Sequence, residues 1–350
     1  MTLRVLAAGD NFVLSSLLER AVLDQVPDAQ VSTVDFEWPD VPFGRVAEVD
    51  EATGTEDEMI AALRGHDVLV TQMGAVTERV LRECPDLKLV AVSRGGPINV
   101  NIPAATEAGV AVCHAPGRNA TATAEMTIAL MLAVLRRVPE THAHTATGEW
   151  RGDYYRYERC GLELEGTPVG LVGFGAIGSR VAKVLAAFGA EVMVYDPYAD
   201  PTLLGDAEHV AELDELLRRS RVLTLHARVT EETRGLIGAR ELALLPSGSY
   251  LVNAARGTLL DYPATVAALK SGHLAGAAFD TYAVEPIPAG DGLLSAPNVV
   301  MTPHIAGASK AVAEKAARIV AAEVGRFARG EELANCSNPE ATEVHRVHRR

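Results

Sequence analysis

The segment Thr167-Pro168-Val169-Gly170-Leu171-Val172-Gly173-Phe174-Gly175-Ala176-Ile177-Gly178 constrains the chain more than any other. A short apolar run leads into Gly-x-Gly-x-x-Gly, and Ile177, Val181, Val184, Leu185 and Phe188 then recur on one face of a helix. In such a strand–turn–helix unit Gly173 permits the tight turn, Gly175 lets backbone approach a pyrophosphate, and Gly178 allows close helix–strand packing. Ala176 and Ile177 open the helix, where free N–H groups and the helix dipole favour phosphate. A glycine pattern alone also describes an ordinary strand-to-helix turn, so its surroundings decide. Glu191–Tyr195 reads as a second strand, and Asp196 follows it near the ~20-residue offset at which a carboxylate hydrogen-bonds a ribose 2′-hydroxyl. That carboxylate opposes a 2′-phosphate, which points to NAD rather than NADP. Taken alone, Asp196 is a turn initiator before Pro197.

At 350 residues the chain exceeds the ~250–300 at which one core stops growing, so two domains with a cleft between them are expected. Short β-branched and aliphatic runs alternate with amphipathic stretches, the pattern of parallel strands covered by helices. Leu3–Ala8, Val31–Phe36, Val68–Thr71, Leu87–Ser93 and Val110–Cys113 read as strands of a first unit, and Asp40 to Thr55 as an exposed excursion within it. Pro116-Gly117 marks a crossover before a helical run from Ala120 to Arg137. A second series follows at Pro168–Val172, Glu191–Tyr195, Val222–His226, Tyr250–Asn253, Gly276–Asp280 and Val299–Thr302. Ser309 to Arg329 carries Val312, Ala316, Ile319, Val320 and Val324 at helical spacing and is expected to return to the first domain. The expected architecture is α/β with two Rossmann-like domains. One is a discontinuous flavodoxin-like substrate domain, 1–118 and 306–335; the other is a doubly wound NAD-binding domain, 119–305; a polar tail runs from 336 to 350.

A formal net charge of -14 repels polyanions, so nucleic acid and anionic membranes are not expected partners. The one dense basic cluster, His345-Arg346-Val347-His348-Arg349-Arg350, reads as a frayed tail. Cys84, Cys113, Cys160 and Cys336 lack metal-ligand spacing, which argues against zinc and a disulfide framework and for reduced thiols. The N-terminal apolar run is too short for a signal peptide, and Met126 to Leu135 falls short of the ~20 residues of a membrane span. A soluble, cytoplasmic protein without a metal is expected.

Three further clusters lie downstream: Val252-Asn253-Ala254-Ala255-Arg256-Gly257, Ala278-Phe279-Asp280 through Glu285-Pro286, and Met301-Thr302-Pro303-His304-Ile305-Ala306-Gly307. Arg256, Glu285 and His304 each fall just beyond an expected strand, where open α/β sheets collect ligands. A base, a carboxylate that orients it and a fixed cation suit acid–base work on a carboxylated substrate. Singly each has a duller reading: a surface arginine, a solvated glutamate before proline, a structural histidine, and for Asp280 a turn acceptor.

The ordered set Asn253-Ala254-Ala255-Arg256-Gly257, Asp280 to Glu285-Pro286 and Thr302-Pro303-His304 resembles the D-isomer-specific 2-hydroxyacid dehydrogenase family, most clearly from Val68 to about Gly307. The resemblance implies NAD as cofactor and a small anionic 2-keto or 2-hydroxy acid as substrate. Arg256 would bind the substrate, Glu285 orient the histidine and His304 act as acid–base. Asp280 would contact the nicotinamide carboxamide. The other cofactor contacts would be Gly173, Gly175, Ala176, Ile177, Gly178, Asp196, His226, Ala227, Arg228, Thr233, Ala254, Ala255 and His304. Substrate contacts would come from Arg94, Gly95, Gly96 and Arg118 besides Arg256 and His304.

Departures from the family pattern carry information too. Ala227-Arg228-Val229-Thr230 replaces the frequent Val-Pro-Leu-Thr on the nicotinamide side, and no regulatory domain is expected after Arg329. Glu285 in place of Gln argues against the formate dehydrogenase branch. Arg94, in a loop many members keep uncharged, and Arg118 at the crossover suggest a second anion on the substrate, a phosphonate, phosphate or carboxylate. Arg151, Arg156 and Arg159 are more distant candidates, and the alternative is that Arg94 and Arg118 pair with acids and brace the hinge. Members pair through the segment matching Ala120–Arg159, so a homodimer is expected, with Met126, Ile128, Leu130, Met131, Leu132, Leu135, Trp150, Tyr154, Tyr155 and Tyr157 available, unless these pack within their own domain. The alternative function is an NAD(H)-sensing corepressor-like binding protein of the same fold.

Overall fold

The computed structural model describes residues 2–38, 42 and 44–341, so Asp40 and the basic cluster 345–350 lie outside the described residues. The chain divides into two compact units, Met1–Asn119 with Ala308–Arg350, and Ala120–Gly307.

In the first unit five parallel strands, Arg4–Asp10, Gln30–Phe36, Val68–Thr71, Leu89–Val92 and Ala111–His114, stand in the spatial order second, first, third, fourth, fifth. This is the flavodoxin-like order, with its switch point between the first and third strands. The middle strands read as unbroken apolar runs because both faces are covered. Successive side chains point to opposite faces: Val68, Val70, Leu89 and Ala91 pack with Leu18 and Val22 and with Ala317, Val320 and Val324, whereas Leu69, Val90 and Val92 pack with Met59, Leu63 and Val80. The excursion holds a small antiparallel hairpin, Gly44–Val46 with Val49–Ala52, whose strands are too short to show a period. The closing helix, Lys310–Arg329, is capped by the Ser309 hydroxyl, which accepts the Val312 N–H, and ends at Gly330 with φ 70°.

The first residues of the expected polar tail are instead part of the fold. Ser337 N–H donates to Val112 O at 2.7 Å and His114 N–H to Asn335 O at 3.1 Å, so this segment runs antiparallel along the edge strand Ala111–His114. Asn338 is fully buried; its Oδ1 accepts the Val112 N–H at 2.8 Å, and its Nδ2 donates to Val110 O at 2.9 Å and Thr106 Oγ1 at 3.0 Å. A sheet edge offers unpaired backbone groups, and polar residues satisfy them, which is why the segment reads as solvated in sequence.

The second unit is a seven-stranded parallel sheet. Its strands in chain order are Pro168–Val172, Glu191–Tyr195, Glu208–His209, Val222–Leu225, Ser249–Asn253, Leu274–Phe279 and Val299–Met301, and their spatial order is third, second, first, fourth, fifth, sixth, seventh. The doubly wound switch point falls between Pro168–Val172 and Val222–Leu225. Helix Ala120–Leu135 buries Ile128, Leu130, Met131 and Leu135 in this unit's own core, with Met126 and Leu132 partly buried against it. For those six the intradomain alternative is what the fold shows, while Trp150, Tyr155 and Tyr157 stand at least 90% exposed. Among the described residues no helix is long and apolar enough to cross a membrane.

Candidate active site

The glycine turn divides into two kinds of position. A Cβ on Gly173, where φ is +99°, would lie 2.6 Å from Ala227 N, and one on Gly178 would lie 2.2 Å from Gly173 O. Both glycines are demanded by the protein's own packing, which sets His226 and Ala227 against the turn. A Cβ on Gly175 would meet nothing within 4 Å. Internal packing does not explain that glycine; close approach of a ligand does. The helix Gly178–Ala187 starts at Ile177 with no side-chain cap and no acid in its first turn; the Ser179 and Arg180 N–H groups donate to Gly175 O and Ile177 O, and the positive end of the helix dipole favours an anion at the turn. Asp196 Oδ2 accepts the Phe174 N–H at 2.7 Å and Oδ1 the Tyr198 N–H at 2.9 Å, so the carboxylate ties the second strand to the turn while keeping lone pairs for ribose hydroxyls. These residues fit a dinucleotide pyrophosphate and ribose.

Along the neighbouring strand end, burial pushes the His226 imidazole down to about 4, so it is neutral near pH 7, and its Nε2 lies 3.0 Å from Thr224 Oγ1. Arg228 is exposed. The loop lacking the family proline is braced instead by hydroxyls: Thr233 Oγ1 donates to Arg228 O at 2.6 Å, and Thr230 N–H donates to Thr233 Oγ1 at 2.7 Å. Thr233 thus works within its own loop.

Three ionisable groups, Arg256, Glu285 and His304, come from three strand ends of this unit. After Ser249–Asn253, the Asn253 side chain accepts the Ala255 N–H at 3.0 Å and donates to Arg256 O at 2.9 Å, turning the chain so that Ala254 is buried and Arg256 exposed. Gly257 lies against the Tyr282 backbone, where a Cβ would come within 1.9 Å. Glu285 Oε1 accepts the Tyr282 N–H at 2.9 Å, and Oε2 lies 2.9 Å from His304 Nδ1. The Glu285 hydrogen bond raises the His304 pKa over the opposing effects of burial and of the Arg256 charge. Burial pushes Glu285 up, but the bonds from His304 and the Tyr282 N–H outweigh it and leave the carboxyl below its ordinary value.

His304 has φ 54°, a left-handed backbone uncommon for a non-glycine residue. Fully buried Asp280 holds that turn: it accepts from Thr302 Oγ1 at 2.6 Å, Ile305 N–H at 2.9 Å and Ala306 N–H at 2.8 Å. The positioning roles of Asp280, Asn253 and Thr302 do not show in the sequence. The one signal there is an Asn at the end of a strand, a residue that readily bonds backbone two positions on.

The cations of the first unit differ in kind. Arg94 is ion-paired with Glu51, its Nη1 also donating to Glu51 O at 3.0 Å. Arg118 makes no salt bridge among the described residues; its guanidinium lies 5.9 Å from the Phe12 ring centroid and its buried Nη1 has no hydrogen-bond partner. Burial and the like charge of Arg94 lower the Arg118 pKa to about 10, so it stays protonated at neutral pH. Gly95 and Gly96 have open space where a Cβ would stand. In the second unit Arg151 and Arg159 both pair with Asp153, and Arg156 is exposed. No group of His, Cys, Asp and Glu suited to a metal occurs among the described residues.

An open glycine turn with an acid at the next strand end, in the same unit as a histidine–glutamate–arginine set, is the constellation of a dinucleotide-dependent oxidoreductase. Residues 128–306 match the model of the D-isomer specific 2-hydroxyacid dehydrogenase NAD binding domain, and the chain belongs to that family. It is 39% identical over 298 residues to a D-3-phosphoglycerate dehydrogenase of Methanocaldococcus jannaschii, covering 84% of this chain and 56% of that one, so it spans little more than half of that relative. It is 34% identical over 294 residues to a glyoxylate reductase of Thermofilum pendens, covering 83% of this chain and 86% of the other. A solved Thermus thermophilus protein superposes with a TM-score of 0.79 at 32% identity, covering 96% of this chain and all of that one. The relatives named are dehydrogenases and reductases, so the corepressor alternative has no support.

The two kinds of glycine yield a direct expectation. Gly175→Ala should fold with nearly unchanged Tm yet weaken NADH about tenfold or more in fluorescence titration, whereas Gly178→Ala should lower Tm. A Gly175→Ala variant that binds NADH like wild type would show that no ligand uses the space above the turn.

Proposed function

We propose that the chain interconverts a small 2-keto acid and its D-2-hydroxy acid by hydride transfer at C2, the hydride being supplied or accepted by bound NAD(H). The observation that carries this reading is the 2.9 Å contact between His304 Nδ1 and Glu285 Oε2. With Nδ1–H directed at the carboxylate, Nε2 is left to exchange a proton with the substrate oxygen. In reduction the imidazolium donates that proton to the carbonyl oxygen; in oxidation the neutral ring removes the hydroxyl proton. Arg256 supplies a planar fork for the substrate carboxylate and polarises the C2 oxygen. Asp196 favours NAD over NADP, and contacts from Asp280 to the nicotinamide and from His226, Ala227, Arg228, Ala254 and Ala255 to the cofactor belong to the same reading.

Reduction needs protonated His304, and its raised pKa extends that form upward in pH. The reductive kcat/KM should therefore fall on the alkaline side above the ordinary imidazole value of about 6.5. Glu285→Gln should move that limb toward acid by about one pH unit, and His304→Ala should lower kcat by about 10²–10⁴ with NADH binding retained. A wild-type pH profile in the Glu285→Gln variant, or wild-type kcat/KM in the His304→Ala variant, would refute the assigned roles.

We also propose a second anionic group on the substrate, a phosphonate, phosphate or distal carboxylate, with Arg118 as its receptor. Arg118 is the protonated fork without a salt-bridge partner among the described residues, whereas Arg94 already has Glu51. Oxaloacetate, 3-phosphonopyruvate or hydroxypyruvate phosphate should be turned over better than pyruvate, and Arg118→Ala should erase the preference by about tenfold or more in kcat/KM. Equal or better use of pyruvate by wild type would end this reading.

The working protein is proposed to be a cytoplasmic homodimer whose contact includes exposed Trp150, Tyr155 and Tyr157. Large exposed aromatics clustered on one segment are the side chains interfaces favour. Light scattering should give a dimer mass, and Trp150→Ala with Tyr155→Ala should weaken it; a monomeric wild type would contradict the proposal.

A further inference from the structure

Cys113 lies on the edge strand of the first unit and Cys336 on the segment that runs antiparallel beside it, joined by an isolated β-bridge. Ser337 N–H bonds Val112 O and His114 N–H bonds Asn335 O, so the flanking residues carry the hydrogen bonds and the two cysteines form a non-hydrogen-bonded pair. Pairs of that type have Cα atoms about 4.5 Å apart with side chains on one face, inside the roughly 4.4–6.8 Å range that a disulfide needs. Both are thiols in this structure.

We propose that Cys113 and Cys336 form a thiol–disulfide exchange site, which a low-molecular-weight disulfide converts into an internal bridge fastening residues 331–341 to the sheet. Access is ordered by burial. Cys336 is part-exposed and Cys113 fully buried, so the incoming disulfide meets Cys336. The Cys113 hydrogen bond lowers the Cys336 thiol against the effect of burial, which favours the thiolate on the exposed side of the pair. Cys336 Sγ attacks one sulfur of the disulfide, forming a mixed disulfide and releasing one thiolate. Cys113 Sγ then attacks Cys336 Sγ, forming the internal bond and releasing the second thiolate. Its proton passes to Glu323, whose Oε2 lies 3.9 Å from Cys113 Sγ. Two thiols lose two electrons and one disulfide becomes two thiols.

Glu323 ties the same pairing to a third element. It is buried on helix Lys310–Arg329 and accepts the Ala334 N–H at 2.9 Å and the Asn335 Nδ2–H at 2.8 Å. Helix, segment and edge strand thus meet at one carboxylate. The bridge would join residues far apart in sequence, and constraining so long a loop of the unfolded chain stabilises the native state.

The test is native incubation of the full chain with oxidised glutathione at pH 8, in a Cys160→Ser background that removes the exposed thiol, followed by non-reducing peptide mapping. The expected result is a peptide pair linked through Cys113 and Cys336 and a Tm raised by about 5 °C or more, reversed by dithiothreitol. Cys336→Ser in the same background should give neither the link nor the Tm response. Glutathione persisting on Cys336 beside a free Cys113 would overturn the proposal, as would no reaction, or a link that forms only in urea.

Discussion

The carboxylate of Asp280 is the interaction on which the turn carrying His304 depends. It ends a buried strand, is closed to solvent, and receives one hydroxyl and two backbone N–H groups from the turn that carries His304. A left-handed non-glycine residue costs of order 1–3 kcal/mol. Hydrogen bonds to a charged acceptor contribute about 1.5–3 kcal/mol each, so three of them hold the turn against that strain. The same bonds answer the cost of burying the charge itself, which has no cation bonded to it among the described residues. The sheet thereby delivers the imidazole to a defined place through one anion.

Around that fixed ring the charges are arranged in opposition. Glu285 favours the imidazolium, Arg256 disfavours it, and the bonded carboxylate wins over the cation. That ordering favours the protonated ring, while the cation opposes the shift. Arg256 keeps its place without bonding either partner, because Asn253 turns the backbone beneath it and Gly257 lets that backbone approach the Tyr282 carbonyl.

Much of this is legible in sequence, for physical reasons that also explain what is not. Val68–Thr71, Pro168–Val172 and Glu191–Tyr195 match the elements formed because strands covered on both faces must be apolar throughout, and no other element needs that in so few residues. Arg256, Glu285 and His304 are legible as a set because three ionisable groups at three strand ends serve no packing purpose. The role of Asp280 toward its own turn is not, since an aspartate after a strand looks the same whether it meets ligand or backbone. The segment Asn335 to Asn338 passes for a tail because edge pairing needs polar side chains, as solvent does. The apolar helix Ala120–Leu135 offers too many surfaces: burial in its own unit and burial in a partner demand the same residues, and only the folded chain separates Met131 from Trp150.

The arginines illustrate how composition and structure constrain one another. With 46 acidic residues against 32 lysines and arginines, an arginine here has acids to choose from. Arg79, Arg151, Arg219 and Arg240 each take at least two, and even Arg94, in a loop that suggests substrate contact, takes Glu51. A count of cations near a site is therefore weak evidence for an anionic ligand in an acidic chain. A half-buried guanidinium without a salt bridge among the described residues is stronger evidence, because the chain compensates its desolvation only in part. Asp10 lies close enough to act on Arg118, yet its carboxylate accepts the Phe12 and Val13 N–H groups at 2.8 Å rather than the guanidinium. In a chain with that surplus of acid, a half-buried arginine still without a salt bridge among the described residues is the informative one.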